Sequence, residues 1–292
     1  MAREPTVKHF KPFDRRFLLA ASAAGFLATG AFGPALAQQP PAATAAPGVA
    51  LPRLPDGHPD LQGLWLKSNG GFFGLFIGSL DGTNFAAGGG GAGRGAGPPP
   101  GPQYEYLPEA AAEQAYRAQR SYEDPEGRCH LPGVPRALDQ PAGLYPVQII
   151  QDENYVALLH EAMHDVRIIP TDNSPHPTNY WAWDGDSRGR WEGDTFIVDV
   201  SNFNGRTWLD MAGNFVDENE HVLERFTLID RDTILYEATV TDPTVFVKPV
   251  EFRFTLKRVP PEQQILEYSC LEGERSRQHF TGEDGGTKQR VQ

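Results

Sequence analysis

From residue 145 to residue 270, apolar and polar side chains alternate with a period of two, in short runs rich in Val, Ile, Thr, Phe and Tyr. That period belongs to β-strands, whose successive side chains point to opposite faces. It predicts strands over 147–151, 155–160, 165–169, 180–183, 189–191, 195–200, 221–229, 234–241, 250–258 and 264–270. Turn residues separate the runs: Asp152-Glu153-Asn154, Glu192-Gly193-Asp194, Asp230-Arg231-Asp232, Asp242-Pro243 and Pro260-Pro261. Connections this short join antiparallel neighbours, because a parallel crossover needs a dozen or more residues. So many strands on one core close into a barrel or fold into a sandwich. The one helix expected in the mature chain is 108–122, PEAAAEQAYRAQRSY, with strong helix formers and Pro at its start.

The alternation also shows which face turns inward. In 250–258, Phe252, Phe254 and Leu256 face one way and Glu251, Arg253, Thr255 and Lys257 the other. In 221–229, Val222, Glu224, Phe226 and Leu228 share one face, while His221, Leu223, Arg225, Thr227 and Ile229 share the other. Polar groups therefore stand on both faces, as a wet or functional barrel interior produces and a dry core excludes.

The first 37 residues follow a different pattern. Arg3, Lys8, Lys11, Arg15 and Arg16 against Glu4 and Asp14 give +3, an Ala- and Gly-rich apolar run spans 17–32, and Ala35-Leu36-Ala37 offers small residues to a peptidase. That order is an export signal, and the apolar run is too short and weak to span a membrane. Arg15-Arg16 before Phe17-Leu18-Leu19 resembles a twin-arginine signal, with Asp14 where Ser or Thr is usual. Cleavage after Ala37 leaves a mature chain of −15, since the whole chain carries −12. So acidic a balance argues against nucleic acid and anionic membrane as partners, and the expected location is periplasmic or extracellular. Residues 38–50 read as a Pro/Ala tether, 51–280 as one domain, 87–101 as a Gly-rich surface loop and 281–292 as a flexible tail. Cys129 and Cys270 are the only cysteines, and an oxidising compartment favours a bridge between them.

Several stretches together carry a resemblance. They are LPRLPDGHPDLQGLW (51–65), CHLPGVPR (129–136), YPVQIIQ (145–151), GRWEGDTFIVDVSNFNGRTWLD (189–210), ERF (224–226), TDPTVF (241–246) and LEYSCLE (266–272). In this order they resemble a widespread family of exported bacterial proteins. The resemblance covers most of 51–275 and implies a mainly β, lipocalin-like (calycin-type) antiparallel barrel with a ligand pocket; it carries no catalytic assignment. Gly63-Leu64-Trp65 also matches the G-x-W that opens lipocalin barrels, where the Trp plugs the closed end.

The sharpest chemical string is His160-Glu161-Ala162-Met163-His164, an H-E-x-x-H. On a helix its two imidazoles would hold zinc, with Glu161 as base. The run lies between strand-like VQII and VRII, however, so 155–169 also reads as a hairpin with its turn at 161–163. In the family it resembles, a Tyr can stand at the place of His160, which a zinc ligand set does not tolerate. As a hairpin the stretch still gathers His160, Glu161, His164, Arg167 and Asp172 within 13 residues. Imidazoles suit proton transfer near neutral pH, and a guanidinium fork suits a carboxylate or phenolate. Tyr180, Trp181, Trp183, Trp191 and Trp208 form an aromatic cluster, read either as a wall for a flat ligand or as core packing. Asp184-Gly185-Asp186 lacks the later bidentate acid of a calcium loop and reads as a turn. No phosphate loop precedes a helix, and no G-x-S-x-G is present.

These residues lead to one expectation and two competitors. The leading one is a cofactor-independent acid/base enzyme, of lyase type, acting on a small apolar or aromatic acid. In it His160, Glu161, His164 and Arg167 would be catalytic, and Asp172, Tyr180, Trp181, Trp183 and Trp208 would bind substrate. The competitors are a non-catalytic small-molecule binding protein and a zinc peptidase.

Overall fold

The computed structural model describes residues 50–68, 102–140 and 144–270. The segments read above as leader (1–37), tether (38–50, except its last residue), Gly-rich loop (87–101) and tail (281–292) lie outside the described residues. Strands β1 (Gly63–Lys67), β2 (Val147–Gln151), β3 (Tyr155–His160), β4 (Val166–Pro170) and β5 (Asp186–Glu192) are followed by β6 (Thr195–Ser201), β7 (His221–Asp230), β8 (Thr233–Thr241) and β9 (Val250–Arg258). Among the described residues one α-helix, α1 (Pro108–Ala118), lies between β1 and β2. It begins at Pro108, whose missing N–H would be unpaired there in any case, and short 3₁₀ turns follow at Ser121–Glu123 and Glu126–Arg128.

The sheet order is β4-β3-β2-β1-β9-β8-β7-β6-β5, and every hydrogen-bonded pair is antiparallel. Each strand thus lies beside its neighbour in sequence, and β1 pairs with β9 to wrap the sheet into a nearly closed, lipocalin-like barrel. The opening lies between β4 and β5. Eight antiparallel pairings separate these two strands, so they run in the same direction, and no ladder joins them. They nevertheless pack. A Cβ added at Gly189 would lie 2.9 Å from Ile169 Cγ2 and 2.6 Å from Phe196 Cζ. Because β4 and β5 start at the same end of the barrel, residues 171–185 must run back along the seam, and this crossover flanks the site described below.

Period-two patterning fills the interior as expected. Val147, Ile149 and Gln151 of β2 are buried while Gln148 and Ile150 are exposed, and β9 turns Val250, Phe252, Phe254 and Leu256 inward. Each large apolar side chain so removed from water contributes about 1.5–3 kcal/mol. Trp65 is fully buried; its Nε1 donates to the Leu61 carbonyl at 2.8 Å, and the Arg258 guanidinium lies 4.2 Å from its ring centroid. Gly63 has φ +132°, and a Cβ there would meet that guanidinium at 2.3 Å, so the position accepts little but glycine. Cys129 and Cys270 form a disulfide that closes a sequence separation of 141 residues.

Two predicted strands are absent. Residues 180–183 belong to the crossover, and their sheet contact is one isolated bridge, Ala182 to Phe203. Residues 264–270 have no strand pairing either. Glu161 Oε2 accepts from the Leu266 N–H at 2.8 Å, and His164 Nε2 accepts from the Tyr268 N–H at 2.7 Å. The alternation in LEYSC therefore reflects docking on a turn instead of membership of the sheet. Conversely β1 forms over Gly63–Lys67, where no strand was expected.

Candidate functional site: a cleft at the barrel seam

The H-E-x-x-H run folds as a hairpin. β3 ends at His160, Glu161 is helical, Met163 and His164 have φ of 59° and 50°, and the His160 N–H donates to the Asp165 carbonyl at 2.8 Å. This turn places His160 and Asp165 opposite each other, so both side chains face the barrel interior and both are buried. Period two then adds Arg167 and Ile169 to the same face. Zinc ligation through His160 and His164 needs them one turn apart on a helix, and the hairpin removes that geometry. His164 instead points outward to the 266–268 segment.

Beside this hairpin a cleft of about 540 Å³ opens between β4, the crossover and the start of β5. Asp165, Arg167, Asp184 and Ser187 line its depth, Trp183 its wall, and Tyr180 and Trp181 its rim. The rim rings are more than half exposed, 52% and 59%. Trp183 is fixed by stacking on His130, with centroids 4.9 Å apart and planes 12° apart.

The Arg167 guanidinium is already engaged. Nη1 and Nη2 donate to Glu224 Oε1 and Oε2 at 3.2 and 2.6 Å, and Nη2 also donates to Ser187 Oγ at 2.9 Å. Tyr236 donates its hydroxyl to Glu224 Oε1 at 2.9 Å. Arg167 thus clamps a protein carboxylate through both Nη atoms, and the substrate-anchoring role expected for it has no free fork to use. Its Nε has no hydrogen-bond partner among the described residues.

Two acids that the sequence reading left out complete the site. Asp165 and Asp184 lie within hydrogen-bonding range of each other. Each has one buried oxygen that no N–H or O–H of the described residues reaches, Asp165 Oδ2 and Asp184 Oδ1. A proton held by one carboxyl is the donor this pair lacks. Burial, then the negative charge of Asp165, pushes the Asp184 carboxyl up to about 8, with Arg167 opposing. Burial also raises Asp165, while Arg167 draws it back toward the ionised form. Asp184 is therefore the carboxyl of the pair that holds a proton more readily. His160, opposite Asp165 in the hairpin, is buried as well. Burial, then the charge of Arg167, pushes its imidazole down to about 3, so the ring is neutral at physiological pH, with Nε2 unpartnered.

The structure thus joins Arg167, Tyr180, Trp181 and Trp183 in one cleft, and sets His160 across the hairpin from Asp165, outside the cleft lining. It does not bring the other candidates there. Glu161 and His164 hold the 266–268 segment. Asp172 is exposed and accepts from the Ser174 N–H and hydroxyl at 3.0 and 2.6 Å. Trp208 is buried elsewhere, with its carbonyl accepting from Arg136 at 3.2 Å. Trp191 stacks on His58, 4.6 Å between centroids. The aromatic cluster therefore divides between wall, rim and core. Asp165 carried a readable signal: alternation in Asp165-Val166-Arg167-Ile168-Ile169 puts it on the inward face. Asp184 lay in a string whose glycine and acids suggested only a turn.

A second cavity of about 260 Å³ lies beside the 3₁₀ turns. Its Arg136 donates to Asp124 at 2.9 and 2.7 Å and lies 2.6 Å from Glu126, so the guanidinium is matched within the protein. Comparison of the chain with family models, curated proteins and solved structures finds no match.

Proposed function

We propose that this protein is an exported acid/base enzyme, of lyase type, that takes a small, flat, apolar or aromatic molecule into the seam cleft. The observation that carries this reading is the buried pair of neighbouring carboxyls, Asp165 and Asp184, beside a guanidinium at the foot of an aromatic-edged cleft. Asp184 gives its proton to a developing oxyanion or leaving group of the substrate. Asp165, kept toward the carboxylate by Arg167, takes a proton from carbon or hydroxyl. Arg167 acts here on the charge of Asp165, because its fork is held by Glu224. The net charge of the cleft then favours a neutral, proton-exchanging ligand such as a phenol, enol or ketone over a carboxylate. Export is supported by the leader pattern and by the Cys129–Cys270 bridge, which an oxidising compartment maintains.

The test is a screen of neutral aromatic and alicyclic carbonyl compounds, by tryptophan fluorescence for binding and by product analysis for turnover. Asp165→Asn and Asp184→Asn are expected to lower kcat roughly 10²- to 10⁴-fold, the usual contribution of a general acid or base, with binding changed far less. A ligand that binds and is recovered unchanged, with affinity indifferent to both substitutions, identifies a carrier and removes the enzyme reading.

A further inference from the structure

The crossover that bears the rim is gripped by a histidine set between two carboxylates. His176 Nδ1 lies 2.6 Å from Asp186 Oδ2 on β5, and Nε2 lies 3.0 Å from Asp199 Oδ1 on β6. A neutral imidazole carries one N–H, so it can donate to one of these oxygens and turns a lone pair toward the other. Only the imidazolium donates to both. The remaining charged neighbours belong to the same network. Arg188 of β5 donates to Asp186 through Nε and Nη2 at 2.7 and 2.9 Å, and to Ser174 Oγ through Nη1 at 2.6 Å. His221 of β7 sets Nε2 3.1 Å from Asp199 Oδ1, and the Asp199 carboxyl is held below its ordinary value, first by the hydrogen bond from His221.

Four residues beyond His176 the chain reaches Tyr180 and Trp181. It is tied down again on either side of them: Asn202 Nδ2 donates to the Pro177 carbonyl at 2.6 Å, and the Ala182 N–H donates to the Asn202 carbonyl at 3.0 Å. His176 is the tie whose strength depends on a proton. We propose that His176 is a pH-sensitive positioning residue: as an imidazolium it latches the crossover, and with it the Tyr180–Trp181 rim, onto β5 and β6. When the ring gives up its second proton, one contact becomes a lone pair against a carboxylate, and the crossover loosens. The cleft rim is therefore held more firmly in acid than in alkali. The latch rests on the crossover geometry alone and holds whether or not the cleft is catalytic.

Two measurements on the mature protein test it. Nitrogen-15 NMR of labelled histidine is expected to show both His176 ring nitrogens protonated near pH 5.5 and one near pH 8.5. Acrylamide quenching of Trp181, isolated by difference from Trp181→Phe, is expected to rise roughly two- to threefold over the same range as the segment loosens. His176→Gln should quench at the upper level at both pH values, while His221→Gln should keep the step. A pH step that survives in His176→Gln, or a His176 ring with one N–H at pH 5.5, overturns the latch. If His176→Gln does not fold, the wild-type protein decides. Coincident midpoints for the ring nitrogens and for Trp181 quenching support the latch, and separate midpoints overturn it.

Discussion

Glu224 is fully buried, and three groups answer its carboxylate: two nitrogens of Arg167 and the Tyr236 hydroxyl. A buried pair of this kind adds little net stability, since desolvation offsets most of the attraction, but removing one partner strands the other charge. Glu224→Gln is therefore expected to lower stability by about 3–5 kcal/mol in urea unfolding, and the paired change Glu224→Leu with Arg167→Met to recover most of that loss. A stable Glu224→Gln protein would mean that the guanidinium reaches water or another carboxylate. The sequence announced Glu224 as anomalous, because an acid stood among Val222, Phe226 and Leu228 on a face that alternation turns inward. It did not announce the partner. Arg167 is 57 residues away in sequence, and only closure of the barrel brings the two together. For the same reason Arg167 looked available for a ligand, since pattern identifies an inward guanidinium but cannot tell which carboxylate meets it.

At the scale of elements, strands with clean alternation were legible almost to the residue. β2, β3 and β9 match the expected spans, and β7 and β8 differ at their ends by one residue. The failures share a cause. Residues 180–183 and 264–270 carry strand-like composition, yet each packs by its side chains or by single hydrogen bonds against a neighbour, and composition does not distinguish these from a ladder. The parallel seam was illegible because it follows from the number of strands, which missing β1 and adding two false strands obscured. Gly189 now has a reason that the sequence lacked: it lets β5 approach β4 without a ladder. Its absent Cβ would meet Ile169, fully buried, and the ring of Phe196, also buried. Gly189→Ala is expected to destabilise by about 1–3 kcal/mol through overpacking, although Gly→Ala in a strand is ordinarily favourable. Thermal unfolding checks the sign, and a stabilised variant would show that the seam has room.

For the whole molecule, the disulfide and the buried titratable groups pull on different parts of the free energy. The bridge acts mainly on the unfolded chain; a loop closed over 141 residues contributes on the order of 4–5 kcal/mol, at every pH where it stays oxidised. Titratable groups shape the pH profile instead. The Asp184 carboxyl is pushed up to about 8, so between about pH 4 and pH 8 the folded state holds a proton that the unfolded chain has released. Stability conferred on that group is lost as the pH rises through this window, by at most about 1.4 kcal/mol per pH unit for one proton. His160, pushed down to about 3, has the opposite sign: below about pH 6.5 the unfolded ring binds a proton that the folded ring refuses, so stability falls as the pH drops toward 3. The two slopes offset each other between about pH 4 and 6.5, and of these two only the Asp184 slope remains between about 6.5 and 8. Urea midpoints of the wild-type protein should therefore decline on the neutral-to-alkaline side. Asp184→Asn should flatten that decline, because an amide donates to Asp165 without titrating, and should leave the acid limb in place. A decline of unchanged slope in Asp184→Asn would assign the extra proton to another acid, with Glu220 the foremost alternative. Glu220 is buried, neither of its oxygens has a partner among the described residues, and burial drives its carboxyl well above the ordinary range.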